Sequence, residues 1–518
     1  MLLPVFTAFL GVRPLSVPDE GRYPEVAREM LLTGDFITPR VNGIGFLDKP
    51  ALYYWLEAGS MHVFGVNAWA IRLPPALFGV LGVIVIFITA DRLFSRRAAW
   101  WSAAILATSP LYFLASQYAD MNIEIAVCVT CALCFFLLAK RLPVGARGRR
   151  GLFMLAWLAI GLGVLTKGLI GLLFPMMVMG TWVLLNRRWR ELAHWHFLSG
   201  TLLMLLICLP WFVAVQRANG QFLHYFFVYQ QFERFIGDSF NNAQPFWFYI
   251  PVLIAGLLPW VFLLPHCLRN QWHLLNNDNS PAGISTRDSR QIVLLWPLLV
   301  LIFFSLPASK IVGYILPVMP PLSLLLGDFL ARRFPTVAPI PMRTEPARKT
   351  QQDARPARAL PWFAVVAMAI SIGAIAVTAR FDSGIRPIAQ TLQQTLSPED
   401  KLICYRNYYQ DLPIYLRTTR PLTIVDNWRD PDILKQDDWR REFYLNLAHQ
   451  PEARDWLIDE NKFADLLARQ KPGERIFVLA RARDAQRLMA RYPLSVLRRA
   501  GKQVLLVMPA ERLTAVID

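Results

Sequence analysis

Apolar positions in this chain are gathered into long unbroken runs with short polar punctuation between them. A bilayer core of about 30 Å takes roughly 20 apolar residues of helix, so runs of that size predict membrane spans. Ten lie near 72–93, 98–117, 121–139, 152–166, 168–186, 197–216, 247–266, 291–308, 312–330 and 361–379. An eleventh, at 1–12, is too short to span. It reads as the outer half of a first helix, with the hydrophobic stretch of a signal peptide as the alternative. The pattern predicts an α-helical polytopic membrane protein with about 11 visible transmembrane helices, the first of them truncated.

After residue 379 the pattern changes. Short β-rich runs at 401–405, 421–426, 475–480 and 502–508 alternate with charged helical stretches at 451–470 and 483–492, which predicts a small α/β domain over 380–518. Between the last two spans, a Pro-rich basic stretch at 331–360 reads as a linker. The 13–71 segment is a large loop, in which 24–32 has the spacing of an amphipathic helix and reads as lying on the membrane surface. Phe46, Leu47, Tyr53, Tyr54 and Trp55 would sit at headgroup depth beside it.

Charge refines this picture. The 518 residues carry a formal net charge of +17 with only 18% charged side chains. Residues 1–379 hold +13 of that charge, so the excess belongs to the apolar part and not to a nucleic-acid-binding tail. Arg and Lys crowd alternate loops, as in Arg147-Gly148-Arg149-Arg150 and Arg332-Arg333, whereas the intervening short loops hold only Lys167, Arg217, Arg234 and Lys310. By the positive-inside rule the crowded loops are cytoplasmic, which puts 13–71 and the C-terminal domain outside. Six cysteines give no disulfide framework, and Cys128, Cys131 and Cys134 read as small packing residues on one helix.

Ionisable groups at a membrane are costly and mark function. All the candidates fall on the outer side: Asp19, Glu20, Arg22, Asp48, Lys49, Asp120, Lys167, Glu233, Arg234 and Lys310. Asp19 and Glu20 are equally well placed to begin a helix. Acids and bases held beside a lipid surface suggest a lipid-linked, phosphorylated substrate. Cations would stabilise a departing phosphate, and a carboxylate would take the proton of an acceptor hydroxyl or orient an acceptor that is already ionised. No nucleotide-binding glycine fingerprint is present after residue 380, and no nucleotide cofactor is expected.

Pro18-Asp19-Glu20-Gly21-Arg22-Tyr23-Pro24-Glu25-Val26-Ala27-Arg28-Glu29-Met30, then Asp48-Lys49-Pro50 and Tyr53-Tyr54-Trp55, resemble the first outer loop of the 4-amino-4-deoxy-L-arabinose lipid A transferases and their protein-mannosyltransferase-like relatives. Leu165-Thr166-Lys167-Gly168, Phe222-Leu223-His224-Tyr225, Pro245-Phe246-Trp247 and Ser309-Lys310 follow in the family's order. The resemblance implies a GT-C type membrane glycosyltransferase of the bacterial inner membrane, with a periplasmic active site and C-terminal domain. Its donor would be an undecaprenyl-phosphate sugar and its acceptor lipid A or another envelope molecule.

Carried over residue by residue, the resemblance makes Asp19, Glu20 and Asp120 catalytic. It gives Lys49 to the donor phosphate, for which the charge argument adds Arg22, Lys167 and Lys310, and Tyr23, His224, Gln231, Glu233 and Arg234 are further candidates to line the pocket. Asp48 corresponds to an acid linked to a divalent metal, Mg or Zn. Here that acid is Asp in place of the usual Glu, and Gln230-Gln231 stand where the family has Glu-His. An amide in place of an imidazole weakens a transition-metal site. The rival readings are a protein or glycan O-glycosyltransferase on the same scaffold and a lipid flippase or transporter.

Overall fold

The computed structural model describes residues 2–233, 242–277, 286–334, 360–380, 385–435, 438–447 and 450–510. Every one of the ten apolar runs is helical, but not every run is one crossing. Seven helices among the described residues are long and apolar enough to cross a membrane, and the count rises to eight if one bent pair is a single span. By length and composition the described residues thus supply seven or eight candidate spans beside the about 11 expected, the remaining runs being shorter or broken.

Prolines account for two of these breaks, because proline donates no backbone hydrogen bond and its ring crowds the preceding turn. The 98–117 run splits into α5 (Arg96–Thr108) and α6 (Pro110–Ala115), with Ser109 extended between them. The 247–266 run turns through 106° between Phe246–Gly256 and Trp260–Asn276, around Pro259. The first run forms only the short helix α1 (Leu2–Thr7), and Ile170–Asn186 (α9) has 17 residues.

The other members of the bundle are α4 (Ala68–Leu93), α7 (Asn122–Arg141), α8 (Arg147–Lys167) and α10 (Phe197–Ala218), followed by Thr286–Ser305, Met319–Arg333 and Leu360–Thr378. α8 and α9 approach closely through two glycines. A Cβ on Gly171 would stand 2.4 Å from the Gly163 carbonyl carbon, so only glycine permits this approach. Cys128, Cys131 and Cys134 are buried free thiols packed within the bundle, as expected. Most of the 331–360 linker lies outside the described residues.

The C-terminal part folds around a six-stranded sheet of order β5-β4-β3-β6-β8-β7. Its strands are β3 (Lys401–Tyr405), β4 (Thr423–Val425), β5 (Leu457–Ile458), β6 (Ile476–Arg481), β7 (Ser495–Ala500) and β8 (Gln503–Met508), and the only other strands among the described residues, β1 (Arg40–Val41) and β2 (Ile44–Gly45), form a small hairpin in the large loop. β5, β4, β3 and β6 run parallel to their neighbours, whereas β8 pairs antiparallel with β6 and β7. The predicted 451–470 helix is interrupted by β5, so that its helical part is Glu460–Ala468.

The large loop contributes α2 (Asp19–Thr33) and α3 (Leu52–Phe64). Neither lies open on a membrane surface. Glu20 to Met30 are buried apart from Arg22, and Phe46, Tyr53 and Tyr54 join a hydrophobic cluster with Tyr408, Leu412, Phe443 and Leu505 of the C-terminal part. The expected surface helix is instead a wall between bundle and sheet. A Cβ on Gly21 would fall 2.8 Å from the Gln410 carbonyl carbon, which shows how closely the two parts touch. Polar contacts stitch the same interface: Asn42 Nδ2 donates to Leu422 O at 3.1 Å, and Trp456 Nε1 donates to Asn42 O at 3.0 Å.

Candidate active site

Asp19 and Glu20 are neighbours in sequence at the first turn of α2, yet they have opposite surroundings. Glu20 is fully buried. Arg72 donates to it through Nε at 2.7 Å and Nη2 at 2.8 Å, Arg13 donates through both terminal nitrogens, and the backbone N–H groups of Ser16 and Ala119 add bonds at 2.9 Å each. Burial alone would push its carboxyl up, but the two guanidiniums more than offset this and hold it at about 2. With every lone-pair direction engaged, Glu20 is a brace that ties the loop, α4 and the segment before Asp120 together. Its environment is thus that of a structural ion pair, unlike that of Asp19.

Asp19 keeps about a third of its side chain exposed and shares one partner, Arg22, at 3.1 Å. Arg22 turns its other terminal nitrogen to Glu442 of the C-terminal part at 2.6 Å and lies over the rings of Tyr23 and Phe46. Burial opposes its charge, and Glu442 first, then Tyr23, Asp19 and Asp48, secure it. Tyr23 packs edge-on against Tyr53, and burial pushes its hydroxyl well above the ordinary tyrosine range.

Asp120 stands between α6 and α7. The Asn122 backbone N–H reaches one of its oxygens at 2.7 Å and the Asn122 amide the other at 2.6 Å. Burial pushes its carboxyl up to about 6, against the pull of the Lys167 ammonium and the Asn122 backbone N–H, with nearby Asp19 adding to the rise. Lys167, the last residue of α8, donates to the Asn122 side-chain oxygen and lies 4.9 Å from the centre of the Tyr314 ring. Asn122 therefore couples the acid to the cation.

Asp48 is buried and accepts from the Tyr225 hydroxyl at 2.6 Å, while the Lys49 ammonium donates to the Asp48 carbonyl at 3.2 Å. Asp48 contributes to the electrostatic environment of Arg22 and Tyr23, which places it at the same centre. Lys310 is bound to the carbonyls of Gln244, at 2.9 Å, and Pro307 in its own loop, so its ammonium is tied down there. His224 is exposed at the start of the π-helical segment His224–Glu233. The side chains of Gln231 and Glu233, and all of Arg234, lie outside the described residues.

No group of three or more His, Cys, Asp or Glu among the described residues could hold a metal ion. The one acid assigned to a metal, Asp48, is engaged by a tyrosine hydroxyl. The described residues thus offer the expected divalent metal no ligand set, and no chemical step is routed through one.

Sequence reasoning missed Arg13, Arg72, Asn122, Tyr225 and Glu442. Arg72 carried a signal, being an arginine at the head of an apolar run, where unpaired charge is expensive. Two further acids, Glu57 and Glu124, were also passed over. Glu57 is fully buried, accepts from the Tyr53 hydroxyl at 2.8 Å, and is pushed well above the carboxylate range by burial. Glu124, one turn beyond Asp120, is fully buried, and its oxygens receive no hydrogen bond among the described residues.

Residues 9–226, which contain most of this centre, match the family model described as dolichyl-phosphate-mannose-protein mannosyltransferase. The whole chain superposes on the crystal structure of ArnT from Cupriavidus metallidurans bound to undecaprenyl phosphate, with a TM-score of 0.77, 26% identity, and 98% of this chain and 96% of that one covered. In fold the chain is thus similar to this membrane transferase over nearly its whole length.

Curated transferases are similar in sequence. An undecaprenyl phosphate-alpha-4-amino-4-deoxy-L-arabinose arabinosyl transferase of Edwardsiella ictaluri is 35% identical over 324 residues, 62% of this chain and 56% of the relative. One from Pseudomonas aeruginosa is 36% identical over 340 residues, 64% of this chain and 59% of the relative. The chain thus spans a little over half the length of the curated relatives it matches. An archaeal oligosaccharyltransferase from Archaeoglobus fulgidus, at 12% identity and a TM-score of 0.54, shares the GT-C fold alone.

Proposed function

We propose that this GT-C protein is an inverting glycosyltransferase that moves a sugar, 4-amino-4-deoxy-L-arabinose, from undecaprenyl phosphate to lipid A. The reaction would take place on the periplasmic face of the bacterial inner membrane, with the 380–518 unit on the same side. The observation that carries this reading is the convergence of Asp19, Arg22, Asp48, Asp120 and Lys167 at one membrane-edge centre beneath the C-terminal sheet. The curated relatives named above add the donor chemistry.

The chemistry follows from the charges. As the bond between the sugar anomeric carbon and the donor phosphate oxygen breaks, negative charge grows on the phosphate and positive charge on the sugar ring. Arg22, Lys49 and Lys167 supply cations for the phosphate, and in a partly dry site each acts more strongly than in water. An acceptor oxygen attacks the opposite face of the anomeric carbon, so configuration inverts. A lipid A phosphate is already ionised and needs no base, in which case Asp19 and Asp120 orient acceptor and sugar; a hydroxyl acceptor would give its proton to one of them.

A largely apolar cavity of about 550 Å³ is lined by Val164, Leu169, Met204, Leu209, Phe212 and Phe227, with Gln216 and Arg217 as its polar residues, and it suits a polyprenyl chain. Transfer to a protein hydroxyl is the second reading, favoured by the match of residues 9–226 to the protein-mannosyltransferase family.

Mass spectrometry of lipid A, envelope proteins and polyprenyl-phosphate sugars from cells with the protein, without it, and with Asp19→Asn separates these outcomes. The expected result is lipid A lacking the aminosugar, and donor accumulating, in both the deletion and the variant. Glycan lost from a protein with lipid A unchanged would select the second reading. Unchanged lipid A, proteins and donor would overturn both.

A further inference from the structure

Away from the acidic centre, a cleft of about 510 Å³ opens between bundle and C-terminal part. Three membrane-edge segments form it. Gly11, Arg13, Pro14 and Leu15 follow the first apolar run; Val66 to Trp69 lead into α4; and Arg386, Ala389, Gln390 and Gln393 come from Ile385–Thr395, the helix that begins a few residues after Leu360–Thr378 ends. Ile414, Tyr415 and Arg417 close it from the sheet side. Two of the walls thus adjoin the ends of helices long and apolar enough to cross a membrane, α4 and Leu360–Thr378, which sets the cleft near headgroup depth.

The lining is amphipathic and one-sided in charge. Leu15, Trp69, Ala389 and Ile414 give it an apolar floor, and among the described residues three arginines and no carboxylate face it. Arg13 is neutralised by Glu20 behind the wall. Arg386 and Arg417 are exposed and belong to no ion pair among the described residues; Arg417 reaches only the Val66 carbonyl, at 3.4 Å. Residues 386, 389, 390 and 393 share one helical face, so the Arg386 guanidinium and the Gln390 and Gln393 amides point the same way. Gln393 in turn donates to the Tyr415 carbonyl at 2.6 Å, which fixes the helix against the opposite wall.

We infer that this cleft is a binding site for the phosphate headgroup of an anionic membrane lipid, gripped by Arg386 and Arg417, with the acyl chains leaving along α1 and α4. Two guanidiniums with no paired acid among the described residues create a local excess of positive charge, and a phosphate accepts hydrogen bonds from such donors in the geometry arginine prefers. A lipid is the fitting carrier because the cleft opens at membrane level and its floor is apolar, where a snorkelling arginine meets headgroups. The site is separate from the Asp19–Asp120 centre: the Arg13–Glu20–Arg72 brace stands between them. It would tie the C-terminal part to the bundle through a lipid, beyond the transferase reading and independent of it.

The test counts lipid on the purified full chain in detergent by native mass spectrometry during titration with phosphatidylglycerol, phosphatidylcholine and lipid A. Neither arginine belongs to the catalytic centre, so binding is read without turnover. The expected result is binding of phosphatidylglycerol at least tenfold tighter than phosphatidylcholine, with that preference lost in Arg386→Gln/Arg417→Gln. Lipid A binding with the same dependence on the two arginines would name the acceptor-type lipid as the source of the phosphate, and phosphatidylglycerol binding alone would name bulk lipid. Equal binding of anionic and zwitterionic lipids, or a double variant that binds as the parent does, would overturn the site. Should the double variant fail to fold, Arg386→Gln alone, at an exposed position, carries the same comparison.

Discussion

The two ends of the helical bundle handle charge in opposite ways. At the arginine-rich end, Asp328 receives Arg290 at 3.1 Å, Arg332 at 2.8 Å and the Gln271 amide at 3.2 Å, and Lys140 lies over the Trp182 ring with Glu191 3.5 Å away. Cations there match or exceed acids, and each acid is surrounded. At the end beneath the sheet, Asp19, Asp48, Glu57, Asp120 and Glu124 gather around Arg22 and Lys167, and two of the acids rely on a tyrosine hydroxyl. A buried charge that is fully paired holds elements together. A cluster with more acids than cations is held ready for something that arrives with its own charge.

Glu20 shows that this distinction runs between adjacent residues as well as between ends. Breaking its brace should have the largest effect. Arg72→Ala leaves a fully buried carboxylate with one guanidinium in place of two, and removal of one partner from a buried pair costs about 3–5 kcal/mol. The expected outcome is a clear fall in the thermal unfolding midpoint of the purified protein. An unfolding midpoint equal to the parent's would mean that Glu20 is not a brace.

Next comes the pH profile, which tests whether Asp120 belongs to the working side of the comparison. Its carboxyl is raised to about 6, so the ionised form dominates above that pH and is lost below it. If ionised Asp120 is required, kcat/KM rises with pH through a midpoint near 6, and Asp120→Asn abolishes that limb together with most of the activity. A variant that keeps the limb would assign it to another group.

The smallest effect is expected at the contact between the two parts. Glu442→Ala releases Arg22 on one side, leaving Asp19 as the partner among the contacts described above. The pair is largely buried but at an edge, so stability should fall by about 1 kcal/mol or less. Turnover should fall by roughly 3- to 10-fold because a guanidinium that positions substrate has shifted. Glu442→Asp should recover part of the turnover. Loss of stability without loss of turnover would make Glu442 a docking residue only.

The sequence showed the helices wherever apolar length sufficed, and the strands of the sheet wherever β-branched runs were long enough, as at 475–480 and 502–508. It did not show where a run is broken, because hydropathy is blind to a break at Pro110 or Pro259. It also misplaced α2 as a surface helix, since the face that seemed meant for lipid is covered by residues some 400 positions later: Gly21 meets Gln410, and Arg22 meets Glu442. At the candidate site, Asp19 and Asp120 were singled out by their places at the ends of apolar runs. Glu20 was not separable from Asp19, because what distinguishes them is Arg72, 52 residues away. Lys310 looked equivalent to Lys167 until the carbonyls that hold it were in view.

The central claim is that the acid-rich end performs sugar transfer and the fully paired end does not. The most direct measurement compares Asp19→Asn with Asp328→Asn in purified, lipid-reconstituted protein, following both sugar transfer from an undecaprenyl-phosphate donor and thermal unfolding. Asp19→Asn should lose roughly 100-fold or more of the transfer rate with its unfolding midpoint unchanged, and Asp328→Asn should unfold earlier while its folded fraction transfers at the parental rate. Parental transfer by Asp19→Asn, with loss only in Asp328→Asn, would contradict the account.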